Sequence, residues 1–231
     1  MADQVFTFWE GPKPAYIDLC LKTWKFPYTV LNYDNLNKYT DFDAQKAKKF
    51  SLPQIADCVR VHVLRDNGGC WLDADTIMLD DKLPMATVLG NADTRSNTIG
   101  FLRADACPEM FDEWAKYQDS VLEQKDPSHH WSIMGNAFTD LYLKEHTEIH
   151  IGSINKYWVE LSLTENLSRV DKYKVFYFEK QRHLSDILKT SMLMLHNSWT
   201  PSWYKQLLAP EVLEKTCTLS NILREVLCNT Y

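Results

Sequence analysis

The segment from Ser51 to Leu79 constrains the fold more than any other part of the chain. It reads SLPQIADCVRVHVLRDNGGCWLDADTIML. Its apolar residues Ile55, Val59 and Val63 recur at i, i+4 and i+8, the spacing of one face of an α-helix. Ser51 stands where a helix cap is expected, and a proline follows early in the pattern. The spacing therefore predicts a helix over residues 53–66.

The second half of the segment predicts a turn and then a strand. Glycine tolerates the left-handed backbone that ends many helices, so Asn67-Gly68-Gly69 is expected to end this one. The run CWLDADTIML over residues 70–79 then reads as a strand that enters and leaves a pair of carboxylates, Asp73 and Asp75. The segment thus predicts two acidic side chains at the end of a buried strand.

Short apolar runs and amphipathic runs alternate along the rest of the chain. The runs typical of strands are residues 4–9, 28–33, 98–103, 173–178 and 191–199. The runs typical of helices are residues 15–24, 108–124, 132–146 and 210–228. Strands that alternate with helices predict an α/β fold, in which helices flank a central sheet.

Composition limits the class of protein. The chain has 231 residues, of which 45% are hydrophobic, enough for a globular core. The net charge is −6 and no long block of Lys and Arg occurs, so a nucleic-acid partner is not expected. No stretch approaches 18 apolar residues, and the N-terminal sequence lacks the pattern of a signal peptide. Six cysteines without a C-x-x-C pair predict free thiols and a cytoplasmic location rather than a zinc site.

The acidic pair has the chemistry of a divalent metal site. Carboxylate oxygens suit Mg²⁺ or Mn²⁺, which keep some water and bind the phosphates of a substrate. In open α/β sheets, ligands bind at the carboxyl ends of strands, where Asp73 and Asp75 are expected. The sequence contains no G-x-G-x-x-G and no G-x-x-x-x-G-K-[ST], so neither of these nucleotide-binding fingerprints is present.

A second interpretation of the same residues stays open. WLDADTI also fits the signature of phosphatases with an aspartate nucleophile, such as the haloacid dehalogenase superfamily. Asp73 would then be the nucleophile and Asp75 the acid. Such enzymes also need a later acidic pair, but no G-D-x-x-x-D occurs and Asp80-Asp81 lies too close to the first motif. This interpretation is therefore the weaker one.

Four motifs give the chain a resemblance to a known family. They are FWEG at 8–11, LCLKTW at 19–24, ADCVRVHVLRDNGGCWLDAD at 56–75 and LHNSWTPSW at 195–203. The chain resembles the metal-dependent glycosyltransferases of the GT-A (nucleotide-diphospho-sugar transferase) fold. Within them it is similar to glycosyltransferase family 32 and the capsular polysaccharide synthesis group, which includes small algal-virus enzymes.

The resemblance implies a single GT-A domain over residues 1–231, with a mixed central sheet flanked by helices. It implies a nucleotide-binding half over residues 1–80. It also implies an acceptor-binding half with a closing segment over residues 81–231.

The resemblance also implies roles in binding the donor. Trp9 matches the residue expected to stack on the nucleotide base, although a tryptophan at a strand end also suits a core. Asp57 and Arg60 match residues expected to touch the ribose or the donor sugar. Because they are spaced at i, i+3, they could instead simply pair with each other on an exposed face. Asp73 would contact the sugar or ribose, partly through the metal.

The remaining implied site residues concern the metal and the diphosphate. Asp75 would bind Mn²⁺ or Mg²⁺ directly, with Asp73 as its partner, and these two are the expected catalytic residues. His196 matches a late histidine that would be a further metal or diphosphate ligand, for which a neutral imidazole is suited. Ser202 and Trp203 match a Ser-Trp pair that closes over the diphosphate in relatives.

The activity implied is transfer of a sugar, of the hexosyl or deoxyhexosyl class, from a UDP-sugar to a glycan hydroxyl with retention of configuration. Two departures from the family's pattern lie near the expected donor sugar: Gly135-Asn136 replaces the family's Gly-Pro, and FTFW replaces a start with a histidine. A non-catalytic nucleotide-sugar binder is the third interpretation. The sequence does not indicate the sugar, the acceptor or the oligomeric state.

Overall fold

The computed structural model describes residues 4–124, 130–153, 167–179, 184 and 190–228. These residues form two compact units. The first, called the sheet unit here, has the described residues 4–10, 27–73, 83–124 and 130–153. The second, called the helical unit, has 11–26, 74–82 and the described residues from 167 onward. The organisation into a single domain with halves at residue 80 stays a prediction.

The sheet unit is built on a mixed six-stranded sheet. Its strands are β1 (Val5–Phe8), β2 (Tyr28–Leu31), β3 (Cys70–Leu72), β5 (Val88–Asn91), β6 (Ser96–Arg103) and β7 (Ile151–Ser153). Their order across the sheet is β2-β1-β3-β6-β5-β7. Strand β1 pairs parallel with both β2 and β3, and β5 pairs parallel with β7. Strand β6 is antiparallel to β3 and to β5.

Three helices cover this sheet: α2 (Leu52–Asn67), α3 (Pro108–Glu123) and α4 (Asn136–Glu145). Helix α2 packs on β1 and β3, α4 packs on β6, and α3 packs on both α2 and α4. The core between them is aromatic: Phe6, Trp71, Phe111 and Trp114 are each at most 1% exposed. The predicted α/β fold with a mixed central sheet flanked by helices is confirmed.

Local sequence signals fix both ends of α2 as expected. At its start, the Gln54 side-chain oxygen accepts hydrogen bonds from the backbone N–H and the hydroxyl of Ser51. At its end, Gly68 and Gly69 adopt φ of 68° and 77°, and the Gly68 N–H donates to the carbonyl of Leu64. A Cβ on Gly69 would also collide with the backbone carbonyl of Gln4, so only glycine fits there.

The helical unit has little sheet. Strands β4 (Thr76–Met78) and β8 (Met192–Met194) form an antiparallel pair. Around it are α1 (Ala15–Lys22), α5 (Arg169–Lys174), α6 (Ser202–Lys205), α7 (Ala209–Glu214) and α8 (Thr218–Cys228). Helix α1 packs on β4 and α7, and α8 packs on α7.

Two predicted elements are wrong in kind or extent. Residues 173–178 were expected to be a strand, but α5 and a π-helical turn over Val175–Glu179 occupy them. Ser168 begins that helix, because its hydroxyl accepts from the Asp171 N–H. Residues 210–228 were expected to be one helix but are split into α7 and α8.

Several other boundaries also differ from the predictions. The strand expected over residues 70–79 is two strands, β3 and β4, each in a different sheet. The helix expected over residues 132–146 begins only at Asn136, and the strand expected over residues 191–199 is confined to β8. The short strands β5 and β7 were not predicted.

The prediction that the cysteines are free thiols is confirmed. All six cysteines are free thiols, and Cys20, Cys58, Cys70 and Cys217 are buried. Within the described part of the chain, no helix is long and apolar enough to cross a membrane.

Candidate functional site

Three parallel strands of the sheet unit end at one edge of the sheet. Because β1 pairs parallel with β2 and with β3, the carboxyl ends of all three point the same way. Trp9 follows β1 directly, Tyr33 lies two residues past β2, and Asp73 follows β3 directly. Ligands of open α/β sheets bind at such an edge. The sheet unit therefore presents two aromatic side chains and a carboxylate at one edge.

Asp73 belongs to a buried charge cluster centred on Arg60. One guanidinium nitrogen of Arg60 lies 3.1 Å from Asp57 Oδ1 and 3.2 Å from Asp73 Oδ1. A second nitrogen donates to the backbone carbonyl of Ile99. The guanidinium also lies 5.2 Å from the ring centre of Trp71. The side chain of Arg60 is only 7% exposed, so it acts as a fixed cation between two carboxylates.

This cluster corrects one interpretation of the sequence. Asp57 and Arg60 do pair with each other, as the i, i+3 alternative supposed, but they are buried rather than on an exposed face. Arg60 also joins them to Asp73, which is 35% exposed at the side chain. Asp73 is held further by the indole N–H of Trp71, which donates to its Oδ1 at 2.8 Å. The structure thus brings three predicted site residues together.

The carboxyl of Asp57 has a raised pKa. Burial raises its pKa to about 7, against the opposing attraction of Arg60 and with a smaller contribution from the charge of Asp73. Gly135 packs close by, since a Cβ there would approach the Asp57 carboxylate to 2.8 Å. A carboxyl that titrates near neutrality beside a fixed cation is common at functional sites.

The position of Trp9 is compatible with two roles, stacking on a ligand and packing in the core. It is half-buried, and its backbone N–H donates to the carbonyl of Leu31, which extends the β1–β2 pairing by one residue. Its indole N–H is buried and has no hydrogen-bond partner among the described residues. Tyr33, the alternative base platform, is half-buried with its ring 5.8 Å from that of Phe8.

In the helical unit, Asp75 is anchored to the end of β8. Its Oδ2 accepts the backbone N–H of Asn197 at 2.6 Å, and its backbone carbonyl accepts from Leu195 at 3.2 Å. The Tyr16 hydroxyl donates to the Asn197 side-chain oxygen at 2.7 Å. Burial and the charge of Asp75 raise the pKa of Tyr16, so its hydroxyl stays protonated as a donor.

His196 lies in the same segment as Asn197. Its backbone N–H donates to the Tyr173 hydroxyl at 3.2 Å, and its ring centre lies 3.9 Å from that of Trp199. Burial lowers the pKa of His196 to about 4, and the charge of Arg169 adds to this. The imidazole is therefore neutral at physiological pH, the form that binds metals.

Ser202 and Trp203 open the short helix α6. Ser202 is exposed, and Trp203 is 47% exposed. The indole of Trp203 packs edge-on against Phe178, and the Lys215 ammonium lies 5.9 Å from its ring centre. The role of this pair in closing over a diphosphate stays a prediction.

Asp73, Asp75 and His196 each carry a side chain whose chemistry suits Mn²⁺ or Mg²⁺ as a ligand, and their binding of an ion stays a prediction. Hard carboxylate oxygens suit both ions, and a neutral imidazole suits Mn²⁺ better. Among the described residues, no group of three or more His, Cys, Asp or Glu could hold a metal by itself.

Sequence reasoning missed the residues that position these side chains. Asn197 stands inside the quoted motif LHNSWTPSW, but its backbone bond to Asp75 has no sequence signature. Tyr16 reaches Asn197 across 181 positions of the chain, and no local pattern reports such a contact. Trp71, in contrast, lies beside Asp73 in the central motif and could have been found there.

Comparison with known proteins gives one family and one distant structure. A family model described as capsular polysaccharide synthesis protein matches residues 2–188. The solved structure titled "WbbM bifunctional glycosytransferase apo structure" aligns at 11% identity with a TM-score of 0.38. That alignment covers 99% of this chain and 50% of the other, so the chain spans about half the length of the structure it matches. No curated protein matches the chain in sequence.

Proposed function

The chain belongs to the family of capsular polysaccharide synthesis proteins, and from that premise we propose that it is a metal-dependent glycosyltransferase. The reaction moves a hexosyl or deoxyhexosyl group from a nucleotide-diphosphate donor, UDP-linked, to a glycan hydroxyl. The fold is of the GT-A type. The configuration of the sugar is retained, as the resemblance of the central motif implies.

One observation carries the proposal. The aromatic side chain of Trp9 and the Arg60-bound carboxylate of Asp73 follow neighbouring parallel strands at one edge of the sheet. An aromatic ring suits a flat base, and a fixed carboxylate accepts hydrogen bonds from ribose or sugar hydroxyls. Asp57 and Arg60 stand behind Asp73 and hold its charge in place. This is the arrangement that a nucleotide-sugar site needs.

Asp75, Asp73 and His196 would hold the metal ion. When bound, a divalent ion neutralises charge on the leaving diphosphate. Asp75 is oriented for this by the Asn197 N–H, which occupies one oxygen of its carboxylate. His196 adds a neutral nitrogen ligand from the same unit. Ser202 and Trp203 would cover the diphosphate. The six free thiols agree with a cytoplasmic location, which is part of the proposal.

A panel of nucleotide sugars tests the proposal. In the presence of Mn²⁺, the donor should raise the melting temperature and be hydrolysed slowly when no acceptor is present. Thermal shift without any hydrolysis or transfer would indicate a non-catalytic binder. Hydrolysis of a generic aryl phosphate, without any response to nucleotide sugars, would indicate the aspartate-nucleophile phosphatase and contradict the proposal.

Trp9→Ala separates a base platform from a packing residue. Stacking of a base on an aromatic ring contributes about 1–3 kcal/mol, so UDP affinity should fall about tenfold or more. Truncation of a tryptophan that only packs would instead cost roughly 3–5 kcal/mol of stability. Both quantities can be measured on one variant, by calorimetry and by denaturation.

Trp131→Ala is the matched control, because Trp131 is 70% exposed and also lies in the sheet unit. It should leave UDP affinity unchanged. A large loss of stability in Trp9→Ala with unchanged affinity per folded molecule would show that Trp9 is core, and Tyr33 would become the candidate.

Tyr16→Phe tests whether the Tyr16–Asn197 hydrogen bond positions Asp75. Removal of one such bond costs about 1 kcal/mol, so Mn²⁺-dependent UDP affinity should fall several-fold. Tyr204→Phe is the control, because the Tyr204 hydroxyl bonds Ser220 at 2.9 Å in the same unit. It should lower stability but not affinity. Equal affinities of the two variants in calorimetry would mean that Tyr16 has only a structural role.

A further inference from the structure

The sheet unit contains a cavity that the proposed reaction does not use. Its volume is about 500 Å³, within the range of small-molecule sites, and residues of α2, α3 and the loop 41–46 line it. His62 and Arg65 are the α2 residues at its wall. His62 and Arg60 are two positions apart, which is about 200° around a helix, so they point to different sides of α2. The cavity is therefore separate from the Asp57–Arg60–Asp73 cluster.

Both ring nitrogens of His62, which lines this cavity, lack a hydrogen-bond partner among the described residues. The residue is 2% exposed. The nearest acid is Asp119, whose Oδ1 lies 3.7 Å from Nε2, too far for a direct hydrogen bond. Phe42 stacks on the imidazole with ring centres 4.5 Å apart. Buried polar atoms almost always form hydrogen bonds, so we expect the two ring nitrogens to bind a ligand that offers them.

The protonation state of His62 defines what that partner must offer. Burial lowers its pKa to about 4, so the ring is neutral at physiological pH. A neutral imidazole has one nitrogen that donates and one that accepts. A hydroxyl group can do both, so a neighbouring pair of hydroxyls could satisfy the ring and Asp119 together.

The charges around the cavity exclude anions as the preferred occupant. Four carboxylates line it against two cations; the carboxylates are those of Asp41, Asp43, Asp119 and Glu123. Carboxylates accept strong, charge-assisted hydrogen bonds from hydroxyls but repel phosphates. Phe42 and Leu122 add apolar surface to the same wall. Acceptors together with apolar surface suit a neutral polyhydroxylated molecule.

We propose that this cavity is a second saccharide-binding site, which takes a neutral sugar residue of a glycan apart from the donor site. Sugar hydroxyls donate to Asp119 and exchange hydrogen bonds with the His62 ring, and the apolar face of the sugar packs on Phe42. The choice of a sugar over other neutral polyols rests on the proposed function. The site would hold a glycan on the sheet unit during transfer.

Binding of simple glycosides tests this proposal without any nucleotide. The probes are the methyl β-glycosides of glucose, galactose and N-acetylglucosamine, each titrated into the full chain labelled with ¹⁵N-histidine. The ring-nitrogen signals of His62, identified by their loss in His62→Gln, should shift and saturate with at least one glycoside. Inorganic phosphate should leave them unchanged.

Two variants on α3 complete the experiment. Asp119→Asn should weaken glycoside binding about tenfold or more, because a hydrogen bond to a charged acceptor is lost. Glu113→Gln removes the same charge from an exposed position of α3 that does not line the cavity, and should bind like the unaltered chain. Saturation-transfer spectra of the glycosides give the same comparison without an assignment of His62.

The outcomes separate this inference from the proposed function. No binding of any of the three glycosides, equal binding by Asp119→Asn and Glu113→Gln, or shifts with phosphate alone would overturn it. If the glycosides fail while UDP binds with Mn²⁺, only the second site is rejected. If the glycosides bind at His62 while no nucleotide sugar does, the second site stands and the proposed reaction fails.

Discussion

Asp75→Asn is expected to abolish sugar transfer while the protein remains folded. The amide keeps the shape of the side chain, and its oxygen can still accept the Asn197 N–H that bonds Asp75 Oδ2 at 2.6 Å. It removes the negative charge that a metal ligand needs. Mutation of a residue that only hydrogen-bonds to a metal ligand lowers metal affinity or activity about 10–100-fold. Loss of a metal ligand itself should therefore lower activity at least about a hundredfold.

Asp81→Asn is the matched control for that variant. Asp81 is exposed and follows β4 in the same unit, so its replacement removes the same charge without touching the site. Activity is measured as Mn²⁺-dependent donor hydrolysis, and folding by far-UV and near-UV circular dichroism. Near-normal turnover by a folded Asp75→Asn variant would show that Asp75 is not a metal ligand.

Arg60→Met is expected to cause the largest loss of stability, about 3–5 kcal/mol. The substitution keeps the apolar volume but leaves the carboxylates of Asp57 and Asp73 without the cation that lies 3.1 and 3.2 Å from them. It also removes the donor to the Ile99 carbonyl, which is then unsatisfied. Urea denaturation of both proteins measures the difference.

Arg65→Met is the control on the same helix. Arg65 pairs with Asp66 at 2.7 Å, but both side chains are more than a quarter exposed, so this pair should contribute about 1 kcal/mol or less. If Arg60→Met were no less stable than Arg65→Met, the charge cluster would not depend on its arginine.

The pH dependence of the Arg60→Met deficit gives a second check. Asp57 has a folded-state pKa of about 7, above its ordinary value of 3.8, so its contribution to stability is present at low pH and lost as pH rises through 7. Without the arginine this pKa should rise further. Up to about pH 7 both proteins lose stability at the same rate, so the stability deficit of Arg60→Met should grow only above about pH 7, where Asp57 is ionised in the unaltered protein but still protonated in the variant. A deficit independent of pH would mean that the lost contacts are not electrostatic.

The sequence predicted those parts of the fold that local chemistry determines. The start of α2 at the cap Ser51 and its end at Gly68 depend on residues within a few positions of one another. Strand β1 with Trp9 directly after it, and strand β3 with Asp73 directly after it, follow from short apolar runs before polar residues. These signals act over less than two helical turns, so they can be read without tertiary structure.

The errors arise where a short apolar run has two possible structures. YKVFYF over residues 173–178 has the aromatic and β-branched composition of a strand. The chain forms a helix there because the cap at Ser168 starts it, and Tyr173 and Tyr177 then pack at i, i+4 with ring centres 4.8 Å apart. Strand β7 has only three residues, too few for an alternating pattern to be recognised.

The candidate site was predictable in its residues but not in its connections. The central motif located Asp57, Arg60 and Asp73, and the structure groups them around the arginine. The raised pKa of Asp57 depends on burial, which no motif gives. The support of Asp75 by Tyr16 and Asn197 depends on contacts between segments far apart in the chain.

Titration of UDP into the protein by calorimetry, with Mn²⁺ and then with excess chelator, tests the central claim most directly. The account predicts saturable binding with Mn²⁺ that weakens sharply when the chelator removes the ion, because Asp75, Asp73 and His196 would reach the diphosphate through the metal. Asp75→Asn should behave with Mn²⁺ as the unaltered protein does with chelator. UDP affinity that is equal with and without Mn²⁺ would contradict the account.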